Sequence, residues 1–188
     1  MTNRAMEFIE ECKAKPWFLH LSYIKPHWPY MAPAPYHNMY SANEFYPVHR
    51  NDAERNNDHP VYKAFMENSI SKTFSKDEVR NTVLAGYMGL IKQIDDNLGR
   101  LFKFLESSGH MDDTMIIFTS DHGDYQGDHW LGEKELFHEQ SVRVPMIIYD
   151  PSDYANKTRG TKEERFIEAI DLLPTFLDAV ESPVSKHR

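Results

Sequence analysis

The sequence predicts an α/β fold in which a mostly parallel sheet is flanked by helices. Three observations support this prediction: short apolar runs of strand length, a long stretch with helical periodicity between two of them, and their order along the chain. Strand, long helix, strand, connection, strand and helix is the order typical of a parallel sheet covered by helices. In such sheets, ligands bind beyond the carboxyl ends of the strands, so the residues that follow each strand are the first site candidates.

Three apolar segments are predicted strands. They show little polar alternation, which is typical of strands buried on both faces of a parallel sheet. These segments are residues 17–24, 114–120 and 144–149. We therefore expect the residues that follow the three segments to lie along one edge of the sheet.

Three further segments are predicted helices because apolar residues recur at spacings of three and four. These segments are residues 3–14, 76–107 and 164–181. Pro174 predicts either a kink in the last helix or a restart at Asp171, since proline lacks the amide that a helix interior needs. Gly86 and Gly89 in the long helix are interpreted as close-packing points. Residues 25–75 form a proline-rich irregular segment, and a loop of this length in a compact domain is typically functional or disordered.

Composition and charge exclude several classes of protein. The chain has 188 residues, with 21 Lys and Arg against 29 Asp and Glu, and its net charge of −8 argues against a non-specific nucleic-acid binder. No apolar run is long enough to span a membrane, and the charged N-terminal residues do not resemble a signal peptide. The single cysteine, Cys12, excludes an internal disulfide framework and is assigned to helix packing. We expect one partial domain over residues 1–188, located in the cytoplasm.

The strongest local signal for a site is Asp121 and His122, which follow the second predicted strand and precede Gly123. A carboxylate oxygen and a neutral imidazole nitrogen suit a divalent cation such as Mn²⁺, Zn²⁺ or Fe²⁺, and suit Ca²⁺ less well. Two ligands cannot hold a catalytic metal, so further ligands must come from elsewhere. The alternative is a structural turn in which the aspartate and the histidine are hydrogen-bonded.

Other polar residues are candidates for contacts with a substrate. Lys134 lies in a glycine-containing loop and could neutralise an anion, or it could be a solvated surface lysine, and His129 and His138 leave the same choice open. His27 follows the first predicted strand between two prolines and could be presented to a substrate, or it could be a packed loop histidine. Arg143 is expected to pair with a carboxylate in a structural role.

Four stretches together resemble the alkaline phosphatase/sulfatase superfamily, and within it the phosphonate monoester hydrolase and arylsulfatase branch. The third stretch resembles the metal-binding signature of that superfamily and is the most specific. In chain order the stretches are PWFLHLSYIKPHWPYMAPAPYHNMY, YMGLIKQIDDNLGRLFKFLE, TMIIFTSDHGDYQGDHWLGEKELFHEQSVRVPMII and IEAIDLLPTFLDAV. The resemblance implies an alkaline phosphatase-like fold that is incomplete in this chain.

The resemblance also implies roles for individual residues. Asp121 and His122 would be ligands of a catalytic divalent metal ion (Mn, Zn, Fe or Ca), and His27 and Lys134 would contact the phosphoryl or sulfuryl oxygens or assist the leaving group. The implied enzyme is a metal-dependent hydrolase of phosphonate monoesters, phosphate diesters or sulfate esters. Its partners would be a small anionic ester substrate and, as in many family members, further copies of itself, with neither nucleic acid nor a membrane among them.

One part of the family pattern is missing from this sequence. The nucleophile motif Cys-x-Pro/Ala-x-Arg, whose cysteine becomes formylglycine in family enzymes, is absent, because Cys12 is followed by Lys15 and Pro16 where arginine is expected. We therefore expect the nucleophile in a missing N-terminal part and negligible turnover by this chain alone. The first alternative is a non-catalytic binding or assembly fragment with a structural metal or none. The second is a relative of phosphoglycerate mutase with a serine nucleophile and two metals.

Overall fold

The computed structural model of the protein describes residues 1–13, 15–41 and 45–183. Three groups of positions lie outside the described residues: position 14 of the predicted first helix, positions 42–44 of the predicted irregular segment, and the last five positions of the predicted domain. Contacts divide the chain into two units, Met1–Pro151 and Ser152–Arg188, and each is described by itself. A single partial domain over residues 1–188 stays a prediction.

The described part of the first unit contains five α-helices and two β-strands. They are α1 (Thr2–Cys12), α2 (Pro60–Glu67), α3 (Ser69–Phe74), α4 (Asp77–Ser107), β1 (Ile116–Thr119), α5 (Glu139–Val142) and β2 (Met146–Tyr149). The prediction of the long helix is confirmed to within one residue, because apolar residues recur along it at helical spacing, and Leu90, Leu101 and Leu105 among them are buried. None of the described helices combines the length and apolar character needed to cross a bilayer.

The core of the first unit forms where α1 crosses α4. Ile9 of α1 and Leu101 and Leu105 of α4 are almost completely buried there, and each such side chain contributes about 1.5–3 kcal/mol through burial. The hydroxyl of Thr2 in α1 lies 2.7 Å from that of Tyr23, which anchors the segment leading to the candidate site.

Residues 17–24 form neither a helix nor a strand with any of the described residues. Side chains alternate along this segment: Trp17, Leu19 and Leu21 pack against the α1–α4 core, whereas Phe18 and Ile24 are 67% and 80% exposed. The prediction of a strand buried on both faces is therefore wrong for this chain. An apolar run predicts an extended backbone, but a strand also requires a neighbour for its hydrogen bonds.

The predicted mostly parallel sheet is not confirmed. Among the described residues the sheet has two strands, and they are antiparallel, with Ile116 opposite Tyr149 and Thr119 opposite Met146. The connection between β1 and β2 is a long loop with the one-turn helix α5, and this arrangement does not require the strands to be parallel. The end of β2 therefore lies beside the start of β1, so residues after Tyr149 do not share the edge where β1 ends.

The second unit contains α6 (Leu172–Ala179), preceded by a 3₁₀ turn at Ala169–Asp171. The prediction of a helix over residues 164–181 is wrong in its first part, because the Glu168 amide donates to the Asp171 carboxylate at 2.9 Å and starts the helical turn only there. The restart predicted from Pro174 is confirmed, since Asp171 is the N-cap of α6.

Candidate active site

The loop that carries His27 lies directly on α4, where two glycines allow its backbone to approach. A Cβ atom at Gly86 would lie 2.5 Å from the carbonyl oxygen of Tyr30, and one at Gly89 would lie 2.3 Å from that of Tyr36. Neither distance leaves room for a side chain, so both positions require glycine. The interpretation of Gly86 and Gly89 as close-packing points is confirmed, and the loop is fixed relative to α4.

His27 is held in one tautomer by its own loop. Its Nδ1 lies 3.1 Å from the carbonyl oxygen of Trp28, which can only accept, so Nδ1 carries the proton. Its Nε2 lies 3.1 Å from Nζ of Lys134, which is 107 residues further along the chain. In the neutral ring, Nε2 accepts a hydrogen bond from the lysine ammonium. Two of the residues that the sequence singled out are thus in direct contact.

The turn formed by Asp121 and His122 lies just beyond the end of β1, and Gly123 fixes its direction. The Gly123 amide donates to the carbonyl oxygen of Ser141 at 2.7 Å. A Cβ atom at Gly123 would lie 2.0 Å from the carbonyl oxygen of Gln140. The turn therefore packs backbone against backbone on α5, at a distance that only glycine permits.

Asp121 and His122 each have an atom that can coordinate a metal ion, and the two atoms lie close together. Nδ1 of His122 lies 2.7 Å from the carbonyl oxygen of Gly123 and therefore donates, which leaves the lone pair on Nε2. That Nε2 lies 3.7 Å from Oδ2 of Asp121, too far for a hydrogen bond but close enough for both atoms to contact one cation. Since its Nδ1–H is bound to a carbonyl and its Nε2 is free, the imidazole has the form found in metal sites, so the donor set fits a divalent cation.

The hydrogen-bonded turn considered from the sequence is also present, since the His122 amide donates to Oδ1 of Asp121 at 3.1 Å. Among the described residues, no group of three or more His, Cys, Asp or Glu side chains is arranged to hold a metal ion. Asp121 and His122 are thus a pair, which we call the half-site. The His27 ring lies 6.0 Å from the His122 ring, edge to face, so the half-site and the His27–Lys134 contact belong to one group.

Lys134 is positioned by backbone contacts within the loop between β1 and β2. The hydroxyl of Ser141 donates to the carbonyl oxygen of Lys134, and the Tyr125 amide donates to that of Glu133 at 2.8 Å. Burial raises the pKa of the Glu133 carboxyl, and a hydrogen bond with Glu135 raises it further. The alternative of a fully solvated lysine does not describe Lys134, because its ammonium meets an imidazole.

His129 and His138 lie away from this group, in what we call the stacked pair. Their rings are nearly parallel, with an interplanar angle of 17° and centroids 4.1 Å apart. Nδ1 of His129 lies 2.9 Å from a carboxylate oxygen of Glu54, and Nδ1 of His138 lies 2.9 Å from the hydroxyl of Tyr125. Burial lowers the pKa of His138, and the neighbouring His129 lowers it further. The contacts of the stacked pair are those of a structural element.

Two further interpretations concern residues outside the site. Arg143 pairs with Glu139 across 3.5 Å, and both side chains are exposed, as the structural role predicted for the arginine requires. Cys12 is a free thiol at the end of α1 and is partly buried.

Tyr30 and Asp124 add a contact that the sequence pattern did not indicate. The Tyr30 hydroxyl donates to Oδ2 of Asp124 at 2.7 Å, and the Gln126 amide donates to Oδ1 at 3.1 Å. Burial raises the pKa of the Asp124 carboxyl, and the bond from Tyr30 lowers it. The available signal was the position of Asp124, two residues after His122 in the same turn.

Comparisons of the sequence with known proteins show the family of this chain. A sequence model of the Sulfatase family matches residues 1–182. The chain is 40% identical to the multifunctional alkaline phosphatase superfamily protein PehA of Trinickia caryophylli, over 94% of this chain and 36% of that protein. It is 31% identical to an arylsulfatase of Clostridium perfringens, over 95% of this chain and 37% of that enzyme.

Solved structures lead to the same family. The phosphonate monoester hydrolase of Agrobacterium radiobacter is similar with a TM-score of 0.87 and 32% identity, over 96% of this chain and 38% of that one. The phosphonate monoester hydrolase of Silicibacter pomeroyi is similar with a TM-score of 0.80 and 31% identity, over 96% and 37% of the two chains. This chain belongs to the sulfatase family of the alkaline phosphatase superfamily. It spans somewhat more than a third of the length of these relatives.

Proposed function

We propose that this chain carries part of the active site of a metal-dependent hydrolase of phosphonate monoesters, phosphate diesters or sulfate esters. The observation that carries the proposal is the 3.1 Å contact between His27 Nε2 and Lys134 Nζ beside the His122 ring. An ammonium, an imidazole and a carboxylate–imidazole pair in one place suit an anionic tetrahedral ester. The names of the relatives, a phosphonate monoester hydrolase and an arylsulfatase, support the same substrate class.

In this proposal, Asp121 and His122 hold a divalent cation, which is Mn²⁺, Zn²⁺, Fe²⁺ or Ca²⁺. When bound, the ion would stabilise negative charge on the oxygens of the transferring group. The Gly123 carbonyl keeps the proton of His122 on Nδ1, so Nε2 stays available as a ligand. Two side chains are fewer than the three protein ligands typical of a catalytic zinc site, so further ligands are part of the proposal.

His27 and Lys134 act on the ester itself. The Lys134 ammonium donates to Nε2 of His27, and the oxygen of an anionic ester can take up a second proton of the same ammonium. Because Nδ1 of His27 is bound to the Trp28 carbonyl, a proton can enter or leave the ring only at Nε2, the atom that faces Lys134. The ammonium that bonds His27 is therefore oriented by that ring, and Lys134 is placed to neutralise the charge that develops on a leaving oxygen, while any proton exchange by His27 must pass through Nε2.

We also propose that the nucleophile is a formylglycine that lies outside residues 1–188, and that the half-site alone gives negligible turnover. The absence of Cys-x-Pro/Ala-x-Arg from the sequence supports this proposal. A binding measurement is therefore a more direct test of the half-site than a rate.

The first experiment is a titration of the full chain with Mn²⁺. Binding is measured by calorimetry and by the electron paramagnetic resonance signal of free Mn²⁺. The variant Asp121→Asn with His122→Gln should lose affinity at least about tenfold, because it removes both ligands. The chain offers a matched control in His110 and Asp113, another imidazole and carboxylate 3.8 Å apart. The variant His110→Gln with Asp113→Asn should bind Mn²⁺ as the unmodified chain does.

Equal Mn²⁺ binding by all three proteins, or none by any, would contradict the half-site and support the non-catalytic alternative. Turnover is measured separately with Mn²⁺ and an aryl phosphonate monoester. Sustained multiple turnover by the chain alone would refute the proposal of negligible turnover while supporting the hydrolase class. A cytoplasmic location and a homo-oligomeric state stay predictions, to be tested by cell fractionation and by sedimentation.

A further inference from the structure

We propose that Tyr30 is a positioning residue whose hydrogen bond to Asp124 sets the spacing between His27 and the half-site. This inference deepens the proposed function and rests on it. Tyr30 lies three residues after His27, and Asp124 lies two residues after His122, so one bond joins the two loops that carry the site. That bond, at 2.7 Å, connects residues 94 positions apart in the chain.

The Tyr30 side of this bond is fixed by packing on the helices. Its backbone carbonyl lies over Gly86, where a Cβ atom would be only 2.5 Å away. Its ring meets Phe74 and Tyr87 edge to face, with centroids 6.0 and 6.1 Å away. The hydroxyl therefore extends from an anchored ring, and its position is determined by α3 and α4.

The Asp124 side of the bond is committed to the protein. One carboxylate oxygen accepts from the Tyr30 hydroxyl and the other from the Gln126 amide, so both oxygens face internal donors. Asp124 is thus occupied in holding the turn. Since the turn is short, a displacement of Asp124 is transmitted to His122, whose ring lies 6.0 Å from that of His27.

In this proposal neither Tyr30 nor Asp124 is assigned a contact with the ester. Tyr30 acts through Asp124 on the half-site, and through its own loop on His27. Removing the hydroxyl leaves the ring and its edge contacts in place but releases the turn from the loop. The consequence should appear first at the His27 and His122 imidazoles.

The test is imidazole NMR of the metal-free full chain labelled with ¹⁵N on histidine, comparing the unmodified protein with Tyr30→Phe and Tyr87→Phe. Tyr87→Phe is the matched control. It removes the hydroxyl of the α4 ring that packs edge to face on Tyr30, and it keeps the bond between Tyr30 and Asp124. Tyr30→Phe should shift the ring ¹⁵N signals of both His27 and His122 and abolish the nuclear Overhauser effect between the two rings. Tyr87→Phe should leave both rings unchanged.

Superimposable His27 and His122 signals in a folded Tyr30→Phe chain would overturn the inference. The same is true if Tyr87→Phe produces equal shifts, because the effect would then be one of general packing. If Tyr30→Phe does not fold, Asp124→Ala removes the acceptor of the same bond and should shift the same two rings. The experiment needs neither metal nor turnover, so its failure is distinguishable from failure of the Mn²⁺ titration that tests the proposed function.

Discussion

The protein contains two pairs of histidines whose Nδ1 atoms have different kinds of partner. In His27 and in His122, Nδ1 donates to the backbone carbonyl of the next residue, and Nε2 faces Lys134 or Asp121. In the stacked pair, the Nδ1 atoms of His129 and His138 contact side chains from elsewhere in the fold, and the two rings cover each other. The identity and spacing of the residues do not distinguish the pairs, whereas the partner of Nδ1 does: a backbone carbonyl in one pair and a side chain in the other.

This comparison has a physical explanation. A ring that is oriented by its own backbone needs no distant partner, so one nitrogen can remain available for a metal ion or a substrate. A ring that is oriented by Glu54 or Tyr125 joins separate elements and contributes to stability instead. Variants that change Mn²⁺ affinity without changing the free energy of unfolding, or the reverse, therefore test whether the two pairs have different roles.

The largest effect is expected from Gly123→Ala, which should lower both the free energy of unfolding and the affinity for Mn²⁺. The new Cβ atom would lie 2.0 Å from the Gln140 carbonyl oxygen, so the turn must move away from α5. We expect the free energy of unfolding to fall by about 1–3 kcal/mol. Because His122 moves with the turn, we expect Mn²⁺ affinity to fall at least about tenfold. Urea denaturation and Mn²⁺ calorimetry measure the two effects.

Gly99→Ala is the matched control for this substitution. Gly99 lies on the exposed face of α4, and a Cβ atom there would meet nothing within 4 Å. Alanine should therefore stabilise the helix by about 0.5–1 kcal/mol and leave Mn²⁺ binding unchanged. If both variants behaved alike, the close approach at Gly123 would not determine the position of the half-site.

The fold was predictable where a pattern is long and local. Helix α4 has 31 residues with a continuous apolar face, and its limits were predicted to within one residue. The segment 17–24 has an equally clear apolar run, but a strand is defined by its hydrogen-bonded neighbour, which a pattern within the segment cannot reveal. The antiparallel register of β1 and β2 depends on a loop of more than twenty residues, whose course has no periodic signal.

The candidate site was predictable where residues follow strands or match the family signature. Asp121 and His122 were found in that way, and the structure places their donor atoms together. The bond between Tyr30 and Asp124 was not predictable, because it joins positions 94 residues apart and begins in an irregular loop. The stacking of His129 depends on its left-handed backbone, with φ of 53°. Histidine rarely adopts this conformation, so the sequence does not predict it.

The next largest effects are expected from one substitution in each pair of histidines. One should lower stability and the other should lower Mn²⁺ affinity. His138→Ala should lower the free energy of unfolding by about 1–3 kcal/mol, because it removes the stacked ring and the acceptor of the buried Tyr125 hydroxyl, which keeps only the bond from the backbone amide of residue 138. It should leave Mn²⁺ affinity within about twofold of the unmodified value. His122→Ala should do the reverse. It should lose Mn²⁺ binding, while its free energy of unfolding stays within about 0.5 kcal/mol of that of the unmodified protein. Calorimetry and urea denaturation of the same samples give both quantities.

The smallest effect is a pH dependence of stability that arises from His138. Burial and the neighbouring His129 lower its folded pKa below the ordinary value of 6.5, although Glu54 opposes them. As the pH falls through about 6.5, the unfolded chain therefore binds a proton before the folded chain does, and the free energy of unfolding decreases. Above that pH both states are unprotonated at this position and the group has no influence. Between about pH 7.5 and about pH 5.5, urea denaturation should show a shallower decline in His138→Ala than in the parent. An equal decline in both proteins would place the pH dependence elsewhere, and the stacked pair would then not be the site where acid first weakens the fold.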